Sequence, residues 1–98
     1  MVKPGPARTR KLREFGESLR TWRKAERLTA EIVALRAGIT RGTLRNIENG
    51  EGSVRFENVM AVLEVLGIER GVLEAVEPAN SFRGRALLEQ GLPQRVRT

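Results

Sequence analysis

The chain has 98 residues and a formal net charge of +6, and it contains neither histidine nor cysteine. These two residue types supply most transition-metal ligands and the commonest general base, so the composition predicts no enzyme, no metal site and no cofactor. No segment approaches the run of about 18 apolar residues that a membrane helix needs. The N-terminus lacks the apolar run of a signal peptide, and we therefore expect a cytoplasmic protein without a membrane partner.

The composition favours a single all-α domain. Hydrophobic residues make up 40% of the chain and aromatic residues only 4%, and strong helix formers dominate. The charge is concentrated at the ends: residues 1–11 carry +4 and residues 79–98 carry +3, whereas residues 12–78 sum to −1. Attraction for an anionic partner must therefore come from local clusters of arginine and from the basic ends.

The first two segments have different patterns. Residues 1–9 contain two prolines and a glycine without any hydrophobic period, which predicts a disordered basic arm. From about Arg10 to Glu26 an apolar residue recurs every three or four positions, which predicts a helix. Its buried face would consist of Leu12, Phe15, Leu19 and Trp22. Its basic residues would be mostly solvated: Arg20, Arg23, Lys24 and Arg27.

Residues 28–50, LTAEIVALRAGITRGTLRNIENG, contain two short helical patterns joined by a glycine turn. Thr29 and Thr40 precede these patterns and are predicted to cap them, because a threonine hydroxyl accepts from N–H groups of the first helical turn. Gly38 suits the left-handed conformation that ends the first helix, and Gly50 ends the second.

The second of these helices is predicted to be amphipathic. Leu44 and Ile47 are three positions apart and would bury one face. Glu48 is expected to be structural, paired with an arginine. The residues that would face outward are Arg41, Gly42, Thr43, Arg45 and Asn46.

Two short helices joined by a turn that contains glycine form a helix-turn-helix, whose second helix lies in the major groove of DNA. The string AGIT…L..IENG, from Ala37 to Gly50, resembles the Cro/repressor-type (XRE) family at the same spacing. The resemblance implies an all-α, compact five-helix repressor-like domain, which we place at residues 10–78 with its reading helix at about 40–49. The alternative is the same helix pair retained as a structural hairpin.

The resemblance also assigns roles to individual residues. The residues that would read bases are Arg41, Gly42, Arg45 and Asn46. Those that would bind phosphate are Thr29, Thr40, Thr43, Asn49 and Arg55. Ala30 departs from the pattern, because the family commonly has a glutamine there that contacts a phosphate or a base edge. One or two of the basic residues of the first helix are also expected to be free to touch phosphate.

Ile32 and Leu35 occupy positions that the family usually fills with polar residues, and they share a face away from the predicted core. We hypothesise that this pair contacts a partner protein. The alternative is a harmless exposed pair, because isolated surface hydrophobic residues are common.

Beyond a loop at residues 51–55, an apolar stripe predicts a core helix that ends at Gly67: Phe56, Val59, Met60, Leu63 and Leu66. A fifth helix is predicted from Glu69 to Val76, with its apolar residues buried: Val72, Leu73 and Val76. Residues 79–98 would form a basic tail with an apolar patch at Phe82, Leu87 and Leu88. This tail is either frayed or docked on the domain or on a partner.

The sequence thus predicts a regulator that binds double-stranded DNA sequence-specifically, a repressor acting as a homodimer on an inverted-repeat operator. The alternative is an antitoxin, which neutralises a toxin protein and represses its own operon. In both cases the arm at residues 1–9 is either a solvated tail or a segment that follows the DNA backbone or enters the minor groove.

Overall fold

The computed structural model describes residues 5–94, and every regular element within them is helical, which confirms the all-α prediction. The α-helices are α1 (Pro6–Ala25), α2 (Ala30–Ala37), α3 (Arg41–Glu48), α4 (Phe56–Leu66), α5 (Glu69–Val76) and α6 (Phe82–Glu89). A 3-10 helix, Pro78–Asn80, lies between the last two. Across residues 5–94, no helix combines the length and apolar character needed to cross a membrane. These residues divide into two compact units, one ending at Ile68 and the other beginning at Glu69.

The first unit consists of α1 to α4. Helix α1 contacts α3 and α4, and α2 contacts the same two helices. The buried apolar residues come from all four helices: Leu19, Val33, Ala34, Leu44, Ile47, Val59, Val62, Leu63 and Leu66. The predicted burial of Leu44 and Ile47 is confirmed, so α3 has one face in the core and the other at the surface.

The predicted helix signals of the turn region are confirmed. The Thr29 hydroxyl oxygen accepts from the backbone N–H of Ile32 at 3.1 Å, and that of Thr40 accepts from Thr43 at 3.0 Å. Gly38 has a φ of 71° and ends α2 in the left-handed conformation. These local interactions determine the residues at which α2 ends and α3 begins.

Helix α1 begins at Pro6 rather than at about Arg10, so the prediction of a disordered arm is wrong for residues 6–9. The physical reason is that proline suits the first position of a helix: its φ is already helical, and it has no N–H that needs a partner. In the sequence-based prediction, Pro6 is treated only as a residue that disfavours regular structure. Residues 1–4 of the predicted arm lie outside the described residues.

The buried face of α1 also differs from the prediction. Gly16, Leu19 and Arg23 are buried, whereas Phe15 and Trp22 are 42% and 47% exposed. A Cβ atom on Gly16 would lie 2.5 Å from the carbonyl oxygen of Glu48, so the backbones of α1 and α3 meet there. The side of α1 that carries Gly16, Leu19 and Arg23 therefore faces α3, and the rings of Phe15 and Trp22 remain partly exposed.

Two further predictions of burial are wrong. Phe56 is exposed because it occupies the first position of α4, where the helix has only begun to enter the core. In α5, which has the predicted bounds, Val72 is half-buried while Leu73 and Val76 are exposed. Within the second unit α5 contacts only the short 3-10 helix strongly, which offers little apolar surface to cover its residues.

The second unit has regular structure inside the segment predicted as a tail. Helix α6 begins after Ser81, whose hydroxyl oxygen accepts from the N–H of Gly84 at 2.9 Å. Gly84 packs directly against the carbonyl group of Pro78, where a Cβ atom would not fit. The apolar side chains of Phe82 and Leu87 are exposed. Residues 95–98, the end of the predicted tail, lie outside the described part of the chain.

The contact at Gly16 leads to a test of the α1–α3 interface. Gly16→Ala should lower the free energy of unfolding by about 1–3 kcal/mol, because the added methyl group would clash with the backbone of Ile47 and Glu48. The matched control is Gly42→Ala, whose Cβ meets only the Thr40 hydroxyl at 3.8 Å and which should be neutral or stabilising. Urea unfolding followed by far-ultraviolet circular dichroism measures both. Equal stabilities of the two variants would contradict this packing.

Candidate nucleic-acid interface

The outer face of α3 carries the four residues predicted to read bases. Arg41, Gly42, Arg45 and Asn46 are all exposed. Arg41 and Arg45, and likewise Gly42 and Asn46, are four positions apart, so each pair shares a side of the helix, and the two pairs together cover the surface away from the buried Leu44 and Ile47. Arginine can bind guanine and asparagine can bind adenine through paired hydrogen bonds, so this face has the side chains needed for reading bases in the major groove.

The predicted phosphate-binding threonines also serve as helix caps. The Thr40 hydroxyl accepts from the Thr43 N–H and donates to the Thr43 hydroxyl oxygen at 2.9 Å. Its proton is therefore used within the cap, while the hydroxyl proton of Thr43 can be donated outward. The exposed Thr29 hydroxyl accepts in its cap and likewise keeps its proton for an acceptor.

Asn49 and Arg55 lie on either side of the loop after α3, and both are exposed. Asn49 is the residue at which α3 ends. The Arg55 guanidinium lies 2.5 Å from the carboxylate of Glu57, a pair that the sequence analysis did not foresee. Exposed pairs of this kind contribute about 0–1 kcal/mol, so Arg55 can exchange Glu57 for a phosphate at little cost.

A buried ion pair joins α1 to the C-terminal end of α3. Arg23 donates from Nε to Glu48 Oε2 at 2.7 Å and from Nη2 to Oε1 at 3.1 Å. It also donates from Nη1 to the carbonyl oxygen of Leu28 at 3.1 Å. The hydrogen bond to Glu48 raises the pKa of Arg23 above its ordinary value, so the guanidinium stays charged. The structural interpretation of Glu48 is confirmed, whereas the expectation that Arg23 is solvated is wrong.

A cleft of about 180 Å³ brings three of the predicted site residues together. Arg41, Arg45 and Asn49 line it from α3 and its end, Ala30 lines it from α2, and Arg20 lines it from α1. The other predicted DNA-binding residues do not line it: Thr29, Thr40, Gly42, Thr43, Asn46 and Arg55. From the sequence alone, Arg20 is only one of several basic residues of the first helix.

The predicted partner surface on α2 is only partly exposed. Leu35 is 74% exposed, but Ile32 is half-buried. The backbone N–H of Ile32 is also part of the cap at Thr29. Leu35 is therefore the residue of this pair that a partner protein can reach without disturbing the fold.

A family model described as a helix-turn-helix domain matches residues 14–76, which is more than half of the chain. The chain belongs to this helix-turn-helix family, a family of DNA-binding domains that are typically not enzymes. A comparison with curated proteins and one with solved structures gave no match. The matched region contains α2, α3 and the buried ion pair, so the family assignment covers the whole candidate interface.

The ion pair predicts a large energetic coupling between α1 and α3. Arg23→Met and Glu48→Met should each lower the free energy of unfolding by about 3–5 kcal/mol, because each removes the main partner of a buried charge. The double variant should lose much less free energy of unfolding than the sum of the losses of the two single variants. The control cycle, Arg55→Met with Glu57→Met, concerns an exposed pair and should give a coupling below about 1 kcal/mol. Urea unfolding of all variants measures both couplings, and additive losses at Arg23 and Glu48 would refute the assigned role.

Proposed function

We propose that the chain is a sequence-specific transcriptional regulator of the Cro/repressor type, which represses a promoter by binding double-stranded DNA with α3 in the major groove. The observation that carries the proposal is the exposed face of α3, where Arg41, Arg45 and Asn46 are presented together. In this proposal the arginines bind guanine, Asn46 binds adenine, and the open position at Gly42 lets the backbone approach the bases.

The charge on α3 supports this proposal. Its only acidic residue is Glu48, which is buried and bonded to Arg23. The outer face of α3 therefore presents positive charge from Arg41 and Arg45 to the DNA phosphates without a carboxylate of its own. Such a local excess of positive charge favours contact with DNA even though residues 12–78 have a slightly negative sum.

Phosphate contacts would position α3 along the groove. Thr29 and Thr43 have hydroxyl protons available at the starts of α2 and α3, and Thr40 stabilises the start of α3. Asn49 and Arg55 would contact the DNA backbone from the two ends of the loop that follows α3. These contacts carry no sequence information themselves but set the register in which the bases are read.

The length of α3 supports a homodimer. Eight residues rise by about 12 Å, so one reading helix covers only a few base pairs. Two copies related by a twofold axis would read an inverted repeat with half-sites about 34–36 Å apart, which gives enough base pairs for a specific operator.

Selection of random duplexes at about 150 mM salt tests this function, because non-specific phosphate binding is already weakened there. The wild type should recover an inverted repeat, and Arg41→Ala should lose about 1–3 kcal/mol of discrimination at one base pair of each half-site. Arg36→Ala, an exposed arginine of α2 outside the cleft, is the control and should keep the same preference. Recovery of no preferred sequence by the wild type would contradict the proposal.

A second candidate is an antitoxin that binds a toxin protein and also represses its own operon. The exposure of Leu35 favours it, because a large apolar side chain on α2 remains uncovered beside the half-buried Ile32. In this role the Ile32/Leu35 surface would bind the partner while α3 remains available for DNA.

This second role predicts a complex with the product of the neighbouring gene in the operon. Leu35→Ser should weaken that complex at least tenfold, since burial of a leucine contributes about 1.5–3 kcal/mol, and should leave helical content and DNA selection unchanged. Leu92→Ser removes a side chain of nearly equal exposure, 75%, and should keep the complex. Calorimetric titration measures the affinities. Absence of binding by the wild type would exclude this role. Equal affinity of the wild type and Leu35→Ser would show that the partner surface does not include Leu35.

A further inference from the structure

The cleft between α1, α2 and α3 is lined on the α2 side by Ala30, whose side chain is a single methyl group. Its inner lining consists of buried residues, Leu44 and the ion pair of Arg23 and Glu48, while its remaining lining residues apart from Ala30 are exposed. A longer side chain at position 30 would extend along this cleft. With alanine there, the volume of about 180 Å³ stays accessible from the face that carries α3.

The charges around this cleft favour an anion. Arg20, Arg41 and Arg45 contribute three exposed guanidinium groups. The one carboxylate in the lining, that of Glu48, already accepts hydrogen bonds on both oxygens from Arg23. Exposed arginines that converge without an unpaired carboxylate raise the local positive potential, which an anion placed between them would neutralise.

Arg20 lines the cleft, and its contact with Glu48 leaves part of its guanidinium group available for hydrogen bonds. Its Nε lies 3.6 Å from Glu48 Oε1, which is a longer contact than either bond that Arg23 makes to this carboxylate. Its side chain is 51% exposed. The terminal nitrogens of the guanidinium can therefore donate to an anion, and arginine suits phosphate because its planar donors match two phosphate oxygens.

A neighbouring groove shares Arg20, Glu48 and Asn49 with this cleft and is also lined by Arg13. Glu17 and Glu51 line the same groove, and neither forms an ion pair with Arg20 among the described residues. Arg20 therefore lines both this mixed-charge groove and the cleft that it shares with Arg41 and Arg45.

We propose that Arg20 binds a DNA backbone phosphate across the opening left by Ala30. The inference rests on the DNA binding proposed above and adds a contact from α1 to those of α2 and α3. It also explains how the chain can bind DNA without the glutamine that its resemblance leads one to expect at position 30: the phosphate contact comes from a neighbouring helix.

The salt dependence of DNA binding tests this contact. Binding of the full chain to its selected duplex, and to a mixed-sequence duplex of about 20 base pairs, is measured by fluorescence anisotropy between about 50 and 200 mM salt. Arg20→Ala should reduce the slope of log K against log [salt] by about 0.9, the value for one phosphate contact. The ratio of wild-type to variant affinity should then fall about threefold across this salt range. Base preference should not change.

Two further variants separate a phosphate contact from other effects. Arg20→Lys keeps the charge and should keep most of the slope. Arg70→Ala removes the same charge from an exposed residue of α5 that does not line the cleft and lies outside the two basic ends, and it should leave the slope unchanged. Phosphate-ethylation interference should lose one position per half-site in Arg20→Ala. Thermal unfolding of each variant checks that the fold is retained.

The outcomes distinguish this inference from the proposed function. If the wild type selects an operator but Arg20→Ala keeps the wild-type slope and ethylation pattern, Arg20 does not bind phosphate and the proposed function stands. The same conclusion follows if Arg70→Ala changes the slope as much as Arg20→Ala does. If the wild type neither selects a sequence nor shows salt-dependent binding, the proposed function itself fails.

Discussion

The buried pair of Arg23 and Glu48 is the constraint on which the geometry of the interface depends. Each charge would be costly to bury alone, but both carboxylate oxygens accept from Arg23, and the remaining guanidinium nitrogen donates to Leu28. These bonds join α1, the turn before α2 and the end of α3. Gly16 and Gly50 add close backbone contacts between α1 and the same end of α3. The outer face of α3 is therefore positioned by groups on its inner side.

Local signals made the helix-turn-helix predictable. The caps at Thr29 and Thr40 and the turn at Gly38 each depend on a few consecutive residues, and the burial of Leu44 and Ile47 follows from their spacing on one short helix. The exposed face of α3 could be derived as the complement of that buried pair. For this reason Arg41, Gly42, Arg45 and Asn46 were named correctly as exposed, whereas Thr43, also expected to face outward, is half-buried. The roles of these residues toward DNA stay a prediction.

Features that depend on distant residues could not be predicted in the same way. The apolar stripe of α1 suggested that Trp22 is buried, but Gly16 and Arg23 both contact Glu48 on another helix, and the face of α1 that carries them is the buried one. Arg20 could not be distinguished from other basic residues, because its role depends on the space left by Ala30. At the N-terminus Pro6 is compatible with either a loop or the first turn of a helix, and the pattern alone favoured the wrong choice.

The open surroundings of Gly42 have a consequence for how such a regulator can evolve. A Cβ atom at this position would have only the Thr40 hydroxyl within 4 Å outside its own helical backbone, and replacing glycine by alanine in a helix is favourable by up to about 1 kcal/mol. A duplicated gene could therefore acquire a new side chain on the outer face of α3 by one substitution without loss of stability. Under the proposed function, divergence between paralogues at this site would change the preferred DNA sequence while the buried contacts of α1 and α3 remained the same.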